Sequence, residues 1–191
     1  MTTYQNANDR PAGVTTDGRL MVEVIGRDYA YHVTAVNEMG YTVLATVAPV
    51  TGADVFFTLQ NTHDRPLLVQ EVRIYDALAA GEYVNFMIGA NYVIGGTSAA
   101  VEPVNRKVSS TLLASSYATI EAGVQITGHA GVTFHTAQMV ANTYRAISFK
   151  NRPVVLAENR AFDLEVETGA ANSIYVEVDF MWLEPADYTD N

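Results

Sequence analysis

Five acidic residues near the C-terminus have the types and spacing best suited to chemistry. Asp163, Glu165 and Glu167 alternate with apolar residues, and Glu177 and Asp179 do so further along the chain. Alternation puts each group on one face of a strand, and a hairpin would bring both groups together. Two carboxylates about 5–10 Å apart could act as acid and base on a glycosidic bond, and several could bind calcium. Because like charges opposite one another destabilise a sheet, we favour a solvated or cation-paired face.

The histidines offer a second arrangement that could bind a metal. His129 and His135 would share a face only if a strand continues through Gly131, and with a carboxylate from elsewhere they could hold zinc. The alternative is ordinary surface or partly buried histidines, which we favour for these two and for His32 and His63. The chain has no cysteine, so thiolate ligands and thiol nucleophiles are excluded. We expect neither a metal nor a cofactor.

Familiar catalytic motifs are missing from the sequence. The hydroxyl-rich stretch at residues 109–116 contains no Gly-X-Ser-X-Gly elbow. The Gly95-Gly96-Thr97 segment has no lysine of the kind that a phosphate-binding loop requires. We therefore expect a protein that is not an enzyme.

Tyrosine is unusually frequent, with 11 residues against 7 phenylalanines. It joins apolar area to a polar tip and recurs on surfaces that become buried against a partner. Two predicted strands, within residues 41–48 and 83–88, are apolar on both faces, and another subunit could cover the second face. Packing at the rim of the core is the alternative. The interface candidates are Tyr29, Tyr31, Tyr41, Tyr83, Tyr92 and Tyr144.

The elements that must position these residues are strands. Period-two alternation dominates from about residue 19 onwards, and turn residues separate the predicted strands by about 10 to 16 residues. Helical signals are confined to single turns within residues 76–81 and 109–117, and residues 95–110 are expected to form a long loop that crosses between sheets. The fold class is therefore all-β, an antiparallel β-sandwich. Residues 162–167 and 174–182 are predicted to form its final hairpin, joined by the polar segment 168–173.

Charge and composition exclude several classes of function. The 191 residues include 11 Lys and Arg against 21 Asp and Glu, a net charge of −10, which would repel a nucleic-acid backbone. The 49% of hydrophobic and 17% of charged residues are typical of a folded chain. No apolar run reaches the ~18 residues that cross a bilayer, and the start lacks the pattern of a signal peptide. We expect no nucleic-acid or membrane partner and synthesis in a cytoplasm.

The chain divides into three parts by its patterning. Residues 1–18 are polar and aperiodic, and are expected to form a flexible N-terminal arm. Residues 19–183 hold the alternating segments and form the predicted β-sandwich domain. Residues 184–191 form an acidic C-terminal tail.

Several segments resemble virion structural proteins of tailed bacteriophages. The first is a strand ending in Leu-X-Asn-Thr that leads into a second strand, here residues 55–62 and 67–75. The others are Glu102-Pro-Val-Asn-Arg106 with Ser109-Ser110 after it, and residues 152–161 before the last strands. Where that family has Pro-Lys-Asn, this chain has Ala157-Glu158-Asn159. The resemblance implies a jelly-roll-like fold and a non-catalytic capsid decoration (cement) protein or a tail-associated protein.

The resemblance also implies partners and a location. Such proteins are often trimers, so a homo-oligomer, and specifically a trimer, is expected, with the phage major capsid protein as partner. The protein would be assembled in the host cytoplasm and located in the virion. The alternative is a carbohydrate-binding, lectin-like β-sandwich used in attachment, because surface tyrosines can stack on sugar rings. An enzyme that acts on glycans through the acidic residues is a third hypothesis.

The predicted N-terminal arm yields a first test. Deleting residues 2–18 should abolish binding to empty capsid shells, since an arm that orders on docking gains its contacts only there. The melting temperature of the core should change by less than about 2 °C. Co-sedimentation with shells and a thermal melt measure the two effects, and equal co-sedimentation of the truncated and full-length chains would reject the hypothesis.

Overall fold

The prediction of an all-β sandwich is confirmed. A computed structural model describes residues 40–76, 82–90, 97–107, 110–126, 131–149, 152–169 and 173–183, and the backbone of residues 3–5, 11–14 and 20–21. Strands make up most of this part of the chain, and two antiparallel sheets pack face to face. Within it there is no helix long and apolar enough to cross a membrane.

The strands are numbered along the chain. Three short ones, β1 (Thr3–Gln5), β2 (Pro11–Val14) and β3 (Leu20–Met21), form an antiparallel sheet of their own. The sandwich strands are β4 (Gly40–Val47), β5 (Gly52–Asn61), β6 (Leu67–Asp76), β7 (Glu82–Ala90), β8 (Thr97–Ala100), β9 (Val104–Asn105), β10 (Ala118–Val124), β11 (Val132–Met139), β12 (Thr143–Ser148), β13 (Val154–Leu156), β14 (Arg160–Gly169) and β15 (Ile174–Trp182).

The two large sheets interleave strands from distant parts of the chain. Sheet I has the order β11-β7-β14-β5-β10-β8, and sheet II has the order β12-β6-β15-β4-β9, with β13 also paired to β6. Among the described strands from β4 to β15, no two that follow each other along the chain pair with each other. The chain instead passes repeatedly from one sheet to the other, as in a jelly roll.

The predicted final hairpin is wrong. β14 pairs with β5 and β7 in sheet I, whereas β15 pairs with β4 and β6 in sheet II. Both strands were correctly predicted as strands, but alternation specifies faces and not neighbours. Crossing between the sheets places β14 and β15 inside their respective sheets, where each pairs with two neighbouring strands.

Three other predicted segments have mixed outcomes. Residues 97–105, which were expected to form a loop, contain β8 in sheet I and β9 in sheet II, so the segment does cross between the sheets. A 3-10 turn at Ala114–Ser116 lies within one predicted helical turn, while residues 77–81 of the other lie outside the described residues. The predicted arm contains β1 and β2, and the acidic tail 184–191 lies outside the described residues.

Large aromatic side chains fill one end of the core. Tyr41 and Phe180 stack with ring centroids 5.7 Å apart, and the ring of Trp182 packs edge-on against Tyr41 at 5.6 Å. All three are fully buried. Tyr41, an interface candidate from the sequence, is therefore a core residue, because its inward position on β4 faces the opposite sheet.

A buried asparagine ties this end of the sandwich together. The Asn61 amide nitrogen donates to the carbonyl oxygens of Arg65 (2.8 Å) and Leu156 (3.0 Å). Its oxygen accepts from Trp182 Nε1 (2.9 Å) and the backbone nitrogen of His63 (3.1 Å). Four hydrogen bonds satisfy a side chain that has no exposure to solvent, which offsets the cost of burying it.

The Asn61→Ala variant should lose about 3 kcal/mol of unfolding free energy, because it leaves buried donors and acceptors without partners. Urea denaturation followed by tryptophan fluorescence measures the loss. The neighbouring Gln60, which is partly exposed, provides the matched control, and Gln60→Ala should change the free energy by less than about 0.5 kcal/mol. Equal losses in both variants would contradict the role given to Asn61.

A tyrosine-lined groove on the outer face of sheet II

The predicted surface of five acidic residues does not form. Because β14 and β15 lie in different sheets, their carboxylates are on different faces of the sandwich. Asp163 is fully buried and accepts a hydrogen bond from the Thr58 hydroxyl at 2.5 Å. Glu165 and Glu167 both accept from the Asn85 amide at 3.2 Å. The acid–base pair and calcium site considered for the combined group therefore have no structural basis.

Glu177 and Asp179 instead form a network of ion pairs with arginines. Arg73 binds Glu177 through Nη1, Asp179 through Nη2 at 2.9 Å and Glu71 through Nε at 2.6 Å. Arg106 binds the other oxygen of Asp179 at 2.8 Å. This is the cation-paired alternative of the sequence analysis, and it occurs within one chain.

Arg73 is the centre of the ion-pair network. Burial alone would lower the pKa of Arg73, but attraction to Asp179, Glu177 and Glu71 outweighs it and raises the pKa. The arginine is therefore permanently charged.

A groove of about 230 Å³ lies beside this network on the outer face of sheet II. Strand register places Tyr144 of β12 opposite Tyr75 of β6, which in turn lies opposite Tyr175 of β15. The next row of the sheet brings Arg73 and Glu177 side by side. The groove lining includes these residues and Leu44 and Thr46 of β4.

The tyrosines of the groove are available to a ligand. Tyr144 is 60% exposed and Tyr175 is 48% exposed. The rings of Tyr75 and Tyr175 are 5.8 Å apart and tilted by 56°. Burial and the nearby carboxylates, opposed by Arg73, raise the pKa of the Tyr144 hydroxyl, which stays protonated at neutral pH and can donate a hydrogen bond.

The tyrosines predicted as interface candidates are therefore dispersed. Tyr144 lies in the groove, Tyr83 is 45% exposed on β7 in the other sheet, and Tyr41 is in the core. Tyr29, Tyr31 and Tyr92 lie outside the described residues. The list of candidates missed Tyr75 and Tyr175, whose alternation with buried neighbours marked them as outward-facing but did not reveal that their strands pair.

The described histidines have packing roles. The ring of His135 lies edge-on to Phe86 at 5.2 Å. His63 Nδ1 accepts from the backbone nitrogen of Arg65 at 3.0 Å, and its ring packs on Tyr117 at 4.9 Å. In the described part of the chain, no three histidine, aspartate or glutamate side chains are arranged to hold a metal ion. His32 and His129 lie outside that part.

On one side of the sandwich, the described sheets end in long strands. Sheets I and II end there in β11, with 8 residues, and β12, with 6. On the opposite side they end in β8, with 4 residues, and β9, with 2. Along β11 and the turn after it lie Val132, Phe134 and Val140, exposed by 72%, 41% and 61%. We call these three residues the apolar strip.

Comparison with known proteins gave no matching family model, no matching curated protein and no matching solved structure.

Replacing Arg73 with methionine should lower the unfolding free energy by about 2 kcal/mol at pH 7, because three carboxylates would then repel one another. Arg73→Lys should lose about half as much, since a lysine keeps the charge but cannot bind all three carboxylates in a plane. At about pH 4, where carboxylates begin to protonate, the difference from the wild type should shrink. Urea denaturation at both pH values measures this, and a loss independent of pH would contradict the electrostatic origin.

Proposed function

We propose that this protein is a non-catalytic structural protein that forms a homo-oligomer, a trimer, and decorates the capsid shell of a bacteriophage. The observation that carries the proposal is the side of the sandwich formed by β11 and β12. A long edge strand with exposed apolar residues is a template for association, and monomeric proteins normally protect such edges.

The arrangement of the edges favours a ring of subunits. In the described part of the chain, sheet I ends on one side in β11, an 8-residue strand that carries most of the apolar strip, whereas the sheets end on the opposite side in the short β8 and β9. Two unlike sides favour head-to-tail contacts, which close into a ring when the rotation between subunits permits it. A trimer is the smallest such ring beyond a dimer.

The carboxylates that might have performed catalysis support a structural role. Asp179 binds both Arg73 and Arg106, and Glu177 binds Arg73. Asp163 is buried against Thr58. A general acid or base must instead be within reach of a substrate proton, and these groups are engaged in holding strands together. The resemblance to virion proteins supplies the remaining element, the capsid shell as partner.

Substitution at the apolar strip tests oligomer formation. The double variant Val132→Lys and Val140→Lys should raise the dissociation constant of the oligomer at least about 100-fold, because two charges would be buried in the contact without partners. Static light scattering at two concentrations gives the mass of each species. Leu44→Lys is the matched control, since Leu44 is 63% exposed on β4, an inner strand of sheet II that belongs to neither side.

Two results would count against the proposal. One is a wild-type chain that remains a monomer at the higher concentration. The other is an unchanged oligomer in the double variant. Co-sedimentation of the wild-type oligomer with empty capsid shells then tests the shell as partner, and failure to co-sediment would restrict the proposal to self-association.

A further inference from the structure

The groove on the outer face of sheet II has aromatic walls that a ligand can reach. Tyr75, Tyr144 and Tyr175 stand in one row across three neighbouring strands, and all three line the groove. Tyr144 is 60% exposed and Tyr175 is 48% exposed. A tyrosine ring offers apolar area, and its hydroxyl both donates and accepts hydrogen bonds. These walls suit a ligand that has an apolar face and hydrogen-bonding edges.

The polar side chains of the groove offer hydrogen-bond donors and acceptors side by side. Arg73 and Glu177 are opposite one another in the register of β6 and β15, both line the groove, and their side chains are 21% and 32% exposed. A guanidinium group has five N–H donors, and in the described part of the chain Arg73 uses three of them, on Glu71, Glu177 and Asp179. Arg73 therefore keeps donors for a ligand. The Glu177 carboxylate, which can accept about four hydrogen bonds, keeps acceptor capacity.

Ion pairs hold these polar groups in place before any ligand binds. Arg73 contacts Glu71 through Nε at 2.6 Å and Asp179 through Nη2 at 2.9 Å, so its guanidinium plane is fixed from several sides. Side chains that are already ordered lose little conformational freedom on binding. A donor beside an acceptor matches two neighbouring hydroxyl groups of a sugar, of which one accepts from Arg73 and the other donates to Glu177.

From this complementarity we propose that the groove binds one pyranose ring of a neutral polysaccharide. The carbon-bound hydrogens of the ring pack on the tyrosines, and its hydroxyl groups bind Arg73 and Glu177. The groove volume of about 230 Å³ is below the roughly 300–1,000 Å³ of pockets for drug-sized ligands, and it suits a single ring. A carboxylate on the sugar would meet the negative charge of Glu177 and be disfavoured. The inference adds a ligand-binding activity to the proposed structural function.

A partner protein is the competing occupant, because tyrosine and arginine are also enriched in protein interfaces. A stable protein contact buries about 800 Å² on each partner, which is more surface than a groove of this volume can offer. A single sugar ring needs no surface beyond the groove. The test below distinguishes the two occupants.

The test titrates neutral hexasaccharides into the full chain and follows binding by NMR. Cellohexaose, maltohexaose and mannohexaose differ in their sugar or linkage, and at least one should bind with a dissociation constant of about 1 mM or lower. Its affinity should change less than about twofold between about 0.05 and 0.5 M salt, because salt screens charges and the ligand has none.

Variants of the groove then locate the binding site. Tyr144→Leu and Tyr175→Leu should each weaken binding at least about fivefold, whereas Tyr175→Phe keeps the ring and should weaken it less. Glu177→Gln should weaken it about threefold, because a neutral amide is a weaker acceptor than a carboxylate. Tyr83→Leu is the matched control, since Tyr83 is 45% exposed on the other sheet, and should leave the affinity unchanged.

Three binding results would overturn the inference. These are no binding of any of the three hexasaccharides at about 10 mM, a loss in Tyr83→Leu as large as that in Tyr144→Leu, and preferential binding of the anionic hexagalacturonate.

Light scattering separates this inference from the proposed function. If Tyr144→Leu or Tyr175→Leu dissociates the oligomer, the groove is a contact between proteins and the sugar assignment fails. An intact oligomer that binds no hexasaccharide rejects the groove assignment alone. A monomer that binds a hexasaccharide through the groove tyrosines supports the groove assignment and rejects the oligomer.

Discussion

The hydrogen bonds of Asn61 hold together the end of the sandwich that contains Trp182, and the packing of that end depends on them. The side chain lies at the end of β5 and joins the loop after it, β13 and the indole of Trp182 on β15. Its own carbonyl oxygen accepts from the backbone of Asn159, just before β14. One buried amide therefore fixes the ends of strands from both sheets, and each of its polar atoms has a partner. These hydrogen bonds give the asparagine of the Leu-X-Asn-Thr segment a structural role that does not depend on the resemblance to virion proteins.

The polar side chains on the outer faces of the two sheets are paired in different ways. On sheet I, Asp163 pairs with Thr58 and Glu121 accepts from Ser98 at 2.6 Å, and both acids are buried. On sheet II, Arg73 gathers the carboxylates of three neighbouring side chains close to the surface. Internal pairing lowers the cost of burial on the first face. The second face keeps an open groove beside a charged network.

The apolar strip and the groove lie in separate parts of the molecule. The apolar strip lies along β11 and the turn that follows, while the groove is centred on β6 and β15. Apolar contact suits the self-association proposed for the apolar strip, because the gain scales with buried area.

The sequence by itself determined which segments are strands and which side chains face inward. The alternation of Ile174, Val176 and Val178 predicted β15 and its core face, and all three are buried. Tertiary structure alone decided which strands are neighbours, and so overturned the hairpin of β14 with β15 and brought Tyr144 and Tyr175 into one row with Tyr75. The physical reason is that alternation depends on the identity of single side chains, whereas strands pair through backbone groups that are the same in every strand. The choice among possible partners depends on how all the inward faces pack at once.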